Sequence, residues 1–149
     1  MKFIFLTEQF YDDYKMCLEI EKKSTRPYAQ VHIEINNLQF AIPLRSGISH
    51  KQHVLWTNKE EKCGLDFSKS VVIVEDKYIS KIRIPYIRPI EFNALRGKEH
   101  IVKQKLIKHI YDYKKAKSNQ SVERNRLLCQ FSTMQYFEEY IEIIDMNTL

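Results

Sequence analysis

The chain has 149 residues, 44% of them hydrophobic, and a formal net charge of +5. That length suits a single domain, residues 1–149, with a real core, and 3 Gly with 4 Pro exclude collagen-like, linker-dominated and disordered composition. The 3 cysteines, Cys17, Cys63 and Cys129, are odd in number and lack a Cys-x-x-Cys pair, which argues against a disulfide framework or zinc knuckle and for a reducing cytoplasm.

The apolar start, Met1 to Leu6, resembles a signal sequence only briefly, because Thr7-Glu8 and the acids Asp12 and Asp13 interrupt it. It reads as a short strand. Thr7 is an N-cap for a helix predicted from about Glu8 to Lys22, with Phe10, Tyr14, Cys17 and Leu18 near one face. From Ala29 the period changes to two: Val31, Ile33 and Ile35 alternate with polar residues, Asn36-Asn37 turns the chain, and Leu38, Phe40 and Ile42 return. Pro43, unable to donate to a ladder, is expected to end regular pairing and release a loop from Arg45 to Lys51.

Short strands are further expected at Val54–Trp56, Val71–Val74 and Tyr78–Ile84, with Pro85 and Pro89 bracketing an extended connection. Val102, Leu106, Ile110 and Tyr113 then follow helical spacing from about Lys98 to Lys117. Ser121–Cys129 also reads as helical. Ser132-Thr133-Met134-Gln135 is a capping-box signature for a last helix carrying Met134, Phe137, Ile141 and Ile144. Strands followed by helices make the expected class α+β. No apolar run approaches the roughly 20 residues needed to cross a membrane.

Charge is concentrated. Residues 77 to 126 hold 14 Lys or Arg against 4 Asp or Glu, whereas residues 127 to 149 carry a net −4. A segment of that kind creates a field for polyanions, although a solvated helix surface is its ordinary role. Arg96-Gly97-Lys98 opens the basic helix, and Lys105, Lys108 and Lys115 project from it. Together with Arg26, Lys69 and Arg88 they form the candidate polyanion-binding set.

The densest chemistry lies in Arg45-Ser46-Gly47-Ile48-Ser49-His50-Lys51. Imidazole is the side chain suited to proton transfer near neutrality, so His50 is the candidate acid or base. Arg45 and Lys51 are cations for a phosphate, and Ser46 and Ser49 are donors to its oxygens or caps of a turn. Tyr28 stacks a base or packs in the core. His53 with His50 gives a His-x-x-His pair that Cys63 could complete as a metal site, a weaker reading than metal-free chemistry. No cofactor is expected.

Phe40-Ala41-Ile42-Pro43-Leu44-Arg45-Ser46, Ile48-Ser49-His50-Lys51 and Cys63-Gly64-Leu65-Asp66-Phe67-Ser68-Lys69 together resemble the endoribonuclease toxins of type III toxin-antitoxin systems. So do Tyr86-Ile87-Arg88, Phe92 to Glu99 and Phe131 to Phe137, and the likeness runs from about Arg26 to Ile141. It is closest to the TenpN and CptN branches, with ToxN and AbiQ more distant. The resemblance implies a strongly bent antiparallel sheet of the MazF kind with surrounding helices. It also implies metal-independent, sequence-selective RNA cleavage that leaves 2′,3′-cyclic phosphates. The implied partners are target mRNA and a repeated pseudoknot RNA, the antitoxin, which the toxin processes and which bridges an RNA–toxin oligomer. Distant members carry Thr-Ser and then Lys after the Pro-Leu pair; here Arg45 stands at the Thr position, and His50 precedes the displaced Lys51. Whether His50 takes the 2′ proton or gives one to the leaving 5′ oxygen is left open, with Arg45 and Lys51 stabilising the phosphorane charge, and a non-catalytic basic RNA-binding module is the alternative function.

Overall fold

The computed structural model describes residues 1–22 and 27–147. Lys2–Ile4 form strand β1, and Thr7 caps helix α1, Glu8–Asp13, through its hydroxyl and the Phe10 amide at 3.3 Å. The helix is much shorter than expected. Asp12 and Asp13 place negative charge at its carboxyl end, where the helix dipole disfavours it, and Lys22 takes the Cys17 carbonyl at 2.7 Å in the irregular segment beyond. Leu18, expected on the apolar face, is exposed, while Phe10 is fully buried.

Strands β2, Gln30–Ile35, and β3, Leu38–Arg45, form the expected hairpin. Asn36 and Asn37 have φ of 50° and 65°, the left-handed pair that a tight two-residue hairpin turn requires. Pro43 does not end the pairing: it sits opposite Gln30 inside β3. Proline is tolerated because on its other edge β3 is between partners. Residues Gln39 to Ala41 pair with β6, Val71–Ile73, and Leu44 and Arg45 pair with β5, Cys63–Asp66.

Strand β4, Val54–Asn58, completes the six-stranded antiparallel sheet on the outer edge of β5. Strand β5 escapes the period-two pattern because Gly64 interrupts it. A Cβ at Gly64 would lie 2.5 Å from the Leu55 carbonyl oxygen, so close strand approach requires glycine there. Among the described residues the sheet is open, and its outer strands do not close it into a barrel.

The strand expected at Tyr78–Ile84 is absent. Asp76–Tyr78 is a 3-10 turn, one bridge joins Leu6 to Ile79, and Ile82 and Ile84 are 93% and 87% exposed, because no sheet edge meets them. Pro89, expected in an extended connection, starts helix α2, Pro89–Leu95, at the position where its missing N–H costs nothing.

Helix α3, Glu99–Lys117, buries Val102, Leu106, Ile110 and Tyr113 as the spacing predicts. Helix α4 spans Glu123–Phe131. Ser132 then accepts from the Met134 amide at 3.2 Å, but it caps a 3-10 turn, Thr133–Tyr136, before the short α5, Glu138–Ile141. The core joins Phe10, Phe40, Phe67, Leu106, Ile110 and Phe137 in one cluster between sheet and helices. Among the described residues no helix is long and apolar enough to cross a membrane.

Candidate active site

The loop leaving β3 turns at Gly47, where φ is +66°, and is clipped to the β4–β5 hairpin at both ends. The Ile48 amide donates to the Lys62 carbonyl at 3.0 Å while the Ile48 side chain is buried, and the Phe67 amide donates to the His53 carbonyl at 2.8 Å. His50 is therefore held between two anchored ends rather than left on a free loop.

Its ring meets Asp66, the last residue of β5, at 3.0 Å from Nε2 to Oδ2, and its Nδ1 lies 3.0 Å from the Gln52 carbonyl. Asp66 is fully buried and saturated. Its Oδ2 also accepts from Arg45 Nη1 at 2.5 Å, and Oδ1 accepts from the Ser68 hydroxyl at 2.6 Å and the Ser68 amide at 3.1 Å. A buried carboxylate without such partners would be expensive, so the arrangement fixes Arg45, His50 and Ser68 relative to one another.

Arg45 also pairs with Glu21 at 3.1 Å. Burial works against its charge, but Asp66, Glu21 and the hydroxyl of Tyr28 outweigh it and hold the guanidinium charged above its ordinary range. Tyr28 thus belongs to this cluster. Lys69 is engaged as well, reaching Glu19 and the Phe131 carbonyl, each at 2.8 Å.

A second wall faces this one. Thr133 donates to the carbonyls of Ser68 and Ser70, and His109 of α3 meets the Ser132 hydroxyl at 3.0 Å, so the chain after α4 is tied to the turn after β5. Between the walls lies a cleft of about 1070 Å³. Arg45, Ser49, His50, His53 and Lys69 line one side; Lys115, Asn119, Arg124, Asn125, Leu127 and Phe131 line the other.

His53 has φ +58° and packs edge-on against His109, ring centroids 4.5 Å apart. Burial lowers the pKa of both, that of His109 to about 3, with the neighbouring ring adding to the effect at His109. The fully buried His109 is thereby kept neutral, and among the described residues its Nδ1 has no hydrogen-bond partner.

Of the residues expected at the catalytic centre, Arg45, Ser49 and His50 line the cleft, and Tyr28 supports Arg45. Ser46 and Lys51 are exposed on the loop outside the cleft lining. Of the expected RNA contacts, Lys69 and Lys115 line the cleft, whereas Lys108 pairs with Asp112 at 2.6 Å. Lys105 is exposed on α3, Lys98 precedes its first residue, and Arg96 borders a smaller hollow with Phe3, Phe92 and His100. Arg88 is ion-paired with Glu61 and Glu91. Arg26 lies outside the described residues.

Sequence reasoning missed Asp66 as a site residue, although a carboxylate between Leu65 and Phe67 in an apolar stretch was its signal. It also missed Arg124, Asn119 and Asn125, whose approach to the loop depends on tertiary packing. The weaker metal reading finds no support: among the described residues no three His, Cys, Asp or Glu side chains converge to hold an ion. Comparison with protein-family models, curated proteins and solved structures yields no match.

Proposed function

We propose that this protein is an endoribonuclease toxin of the type III toxin-antitoxin kind, acting in the cytoplasm without a metal and inhibited by a repeated pseudoknot RNA. The carrying observation is an imidazole held by a buried carboxylate in a cleft lined with cations: His50 on Asp66, among Arg45, Lys69, Lys115 and Arg124. The change of partners along β3 supports the bent sheet that the resemblance implies.

In this reading single-stranded RNA lies along the cleft. The ribose 2′-oxygen attacks the adjacent phosphorus and the 5′ oxygen leaves, so the products are a 2′,3′-cyclic phosphate and a 5′-hydroxyl. His50 transfers a proton, worth roughly 10² to 10⁴ in rate for a positioned group. Arg45, fixed by Asp66 and Tyr28, presents charge to the phosphorane, and Ser49 donates to its oxygens. Lys115 and Arg124 neutralise flanking phosphates.

A second reading, a non-catalytic RNA-binding module, is favoured by one observation: both His50 nitrogens and the Arg45 guanidinium already have protein partners. Incubation of purified protein with single-stranded RNA in EDTA separates the two. Cleavage with cyclic-phosphate ends supports the toxin reading; salt-sensitive binding without cleavage supports the module. Tandem short repeats in the DNA just upstream of the coding sequence would further support the toxin and its RNA partner.

A further inference from the structure

We infer that His53 is a second catalytic residue of this cleft, the group that takes the proton from the ribose 2′-hydroxyl, while His50 gives a proton to the departing 5′ oxygen. This rests on the ribonuclease reading above and divides its chemistry between two rings.

The division follows from what the two histidines face. Both partners of His50, the Asp66 carboxylate and the Gln52 carbonyl, are acceptors, and a neutral imidazole has only one N–H to offer. The ring that satisfies both is doubly protonated, a donor with no lone pair left to accept. Its Nδ1 contact is the exposed one and can be surrendered to a leaving oxygen, whereas Nε2 stays anchored on the buried carboxylate.

His53 is the opposite case. It lines the same cleft three residues on, half-buried, and neither of its ring nitrogens is hydrogen-bonded to another described residue. The ring is nevertheless oriented, because the buried His109 packs against it at 4.5 Å. Its backbone is in the left-handed region at φ +58°, which few non-glycine residues adopt, and is held by the Phe67 amide on its carbonyl.

Burial lowers the pKa of His53 and so favours its neutral ring. From α3, Asp112 opposes that effect and Lys108 reinforces it, with His109 packed against the ring; from the sheet side, Asp66 opposes and His50 reinforces. An oriented imidazole with no hydrogen-bond partner on its ring among the described residues, beside one held by two acceptors, is the pairing that internal phosphodiester transfer needs.

The protons balance without water or metal. The 2′ proton passes to His53 as the oxygen–phosphorus bond forms; the phosphorus–5′-oxygen bond breaks, and that oxygen takes the proton from His50. The cyclic phosphate and 5′-hydroxyl leave with the two rings in exchanged protonation states.

The test uses an oligoribonucleotide cut by the wild type and the same molecule with sulfur replacing the bridging 5′ oxygen at the cut, since a thiolate leaves without a proton. Asparagine is the substitution of choice because it tolerates positive φ, and His53→Gly, melted alongside, removes the backbone strain altogether. Expected are losses of roughly 10² to 10⁴ for His53→Asn and His53→Gly on both substrates, with the acid limb of the kcat/KM profile abolished. His50→Gln is expected to be slow on the oxygen substrate and close to wild type on the sulfur one. Near wild-type cleavage by both His53 variants overturns the assignment, as does rescue of them by sulfur while His50→Gln stays slow. Failure of the wild type to cut any RNA overturns the ribonuclease reading itself, a distinct result.

Discussion

The two walls of the cleft are built on opposite terms. On the sheet side every charged group is spoken for: Asp66 accepts from Arg45, His50 and Ser68, Arg45 adds Glu21 and Lys69 adds Glu19. On the helical side Lys115 and Arg124 are exposed cations set among Val122, Leu127 and Phe131, which are 37%, 44% and 48% exposed. The contrast separates precision from reach. A saturated network holds a few groups in one geometry, as proton transfer demands, and a wall of exposed cations and apolar surface adapts to a flexible polyanion.

The sharpest way to break that contrast is to remove the carboxylate on which the sheet wall turns. Asp66→Ala leaves a partly buried guanidinium and an imidazole without their common partner, and a loss of about 3 to 5 kcal/mol in urea unfolding is expected together with loss of cleavage. A variant that keeps both stability and activity would show that the network is ornamental. His50→Gln comes next: cleavage falls by roughly 10² to 10⁴ while the melting temperature stays within a few degrees, because the ring is partly exposed.

Acid should loosen the link between the walls. His109 is buried neutral, with its pKa lowered from 6.5 to about 3 by burial and by His53. The unfolded chain therefore binds this proton more readily than the folded one. Its contribution is fully present above about pH 6.5 and is lost progressively as pH falls towards 3, at up to about 1.4 kcal/mol per unit. Chemical unfolding of wild type beside His109→Gln across that range measures it, and the variant should show a shallower slope.

On the helical wall the effects are smaller and of another kind. Lys115→Ala and Arg124→Ala should weaken RNA binding a few-fold at moderate salt, lower the slope of log affinity against log salt by about one each, and leave kcat unchanged. Smallest of all is Lys51→Ala. An exposed lysine outside the cleft lining is expected to change binding and rate by less than about twofold, within the range of ordinary surface substitutions of about 0.5 kcal/mol.

Local patterns carried the hairpin and the basic helix. The alternation of Val31, Ile33 and Ile35 and the Asn36-Asn37 turn specify a two-strand unit by contacts close in sequence, and the spacing from Val102 to Tyr113 specifies one buried helical face. Long-range competition decided the rest. Helix α1 stopped early because the chain beyond it delivers Glu19 to Lys69 and Glu21 to Arg45, and Ile82 and Ile84 stayed outside the sheet because no strand edge reached them.

The site was legible in part for the same reason. Arg45, Ser49 and His50 are close neighbours in sequence, and their loop announces itself by composition. Asp66 enters only when β5 pairs with the end of β3, and His53 acquires its environment only when His109 arrives from a helix 56 positions away. Helix α4, likewise, becomes a wall of the cleft through long-range contacts, those of Ser132 and Thr133 that follow it and that of Lys69 with the Phe131 carbonyl.

The most direct measurement is transcriptome-wide mapping of RNA ends after expression of the wild type beside His50→Gln. Expected are new 5′-hydroxyl and 2′,3′-cyclic phosphate ends at a recurring short sequence in the wild type and their near disappearance in the variant. Equal numbers of such ends in the two, or none in either while the wild type accumulates folded, would contradict the ribonuclease reading.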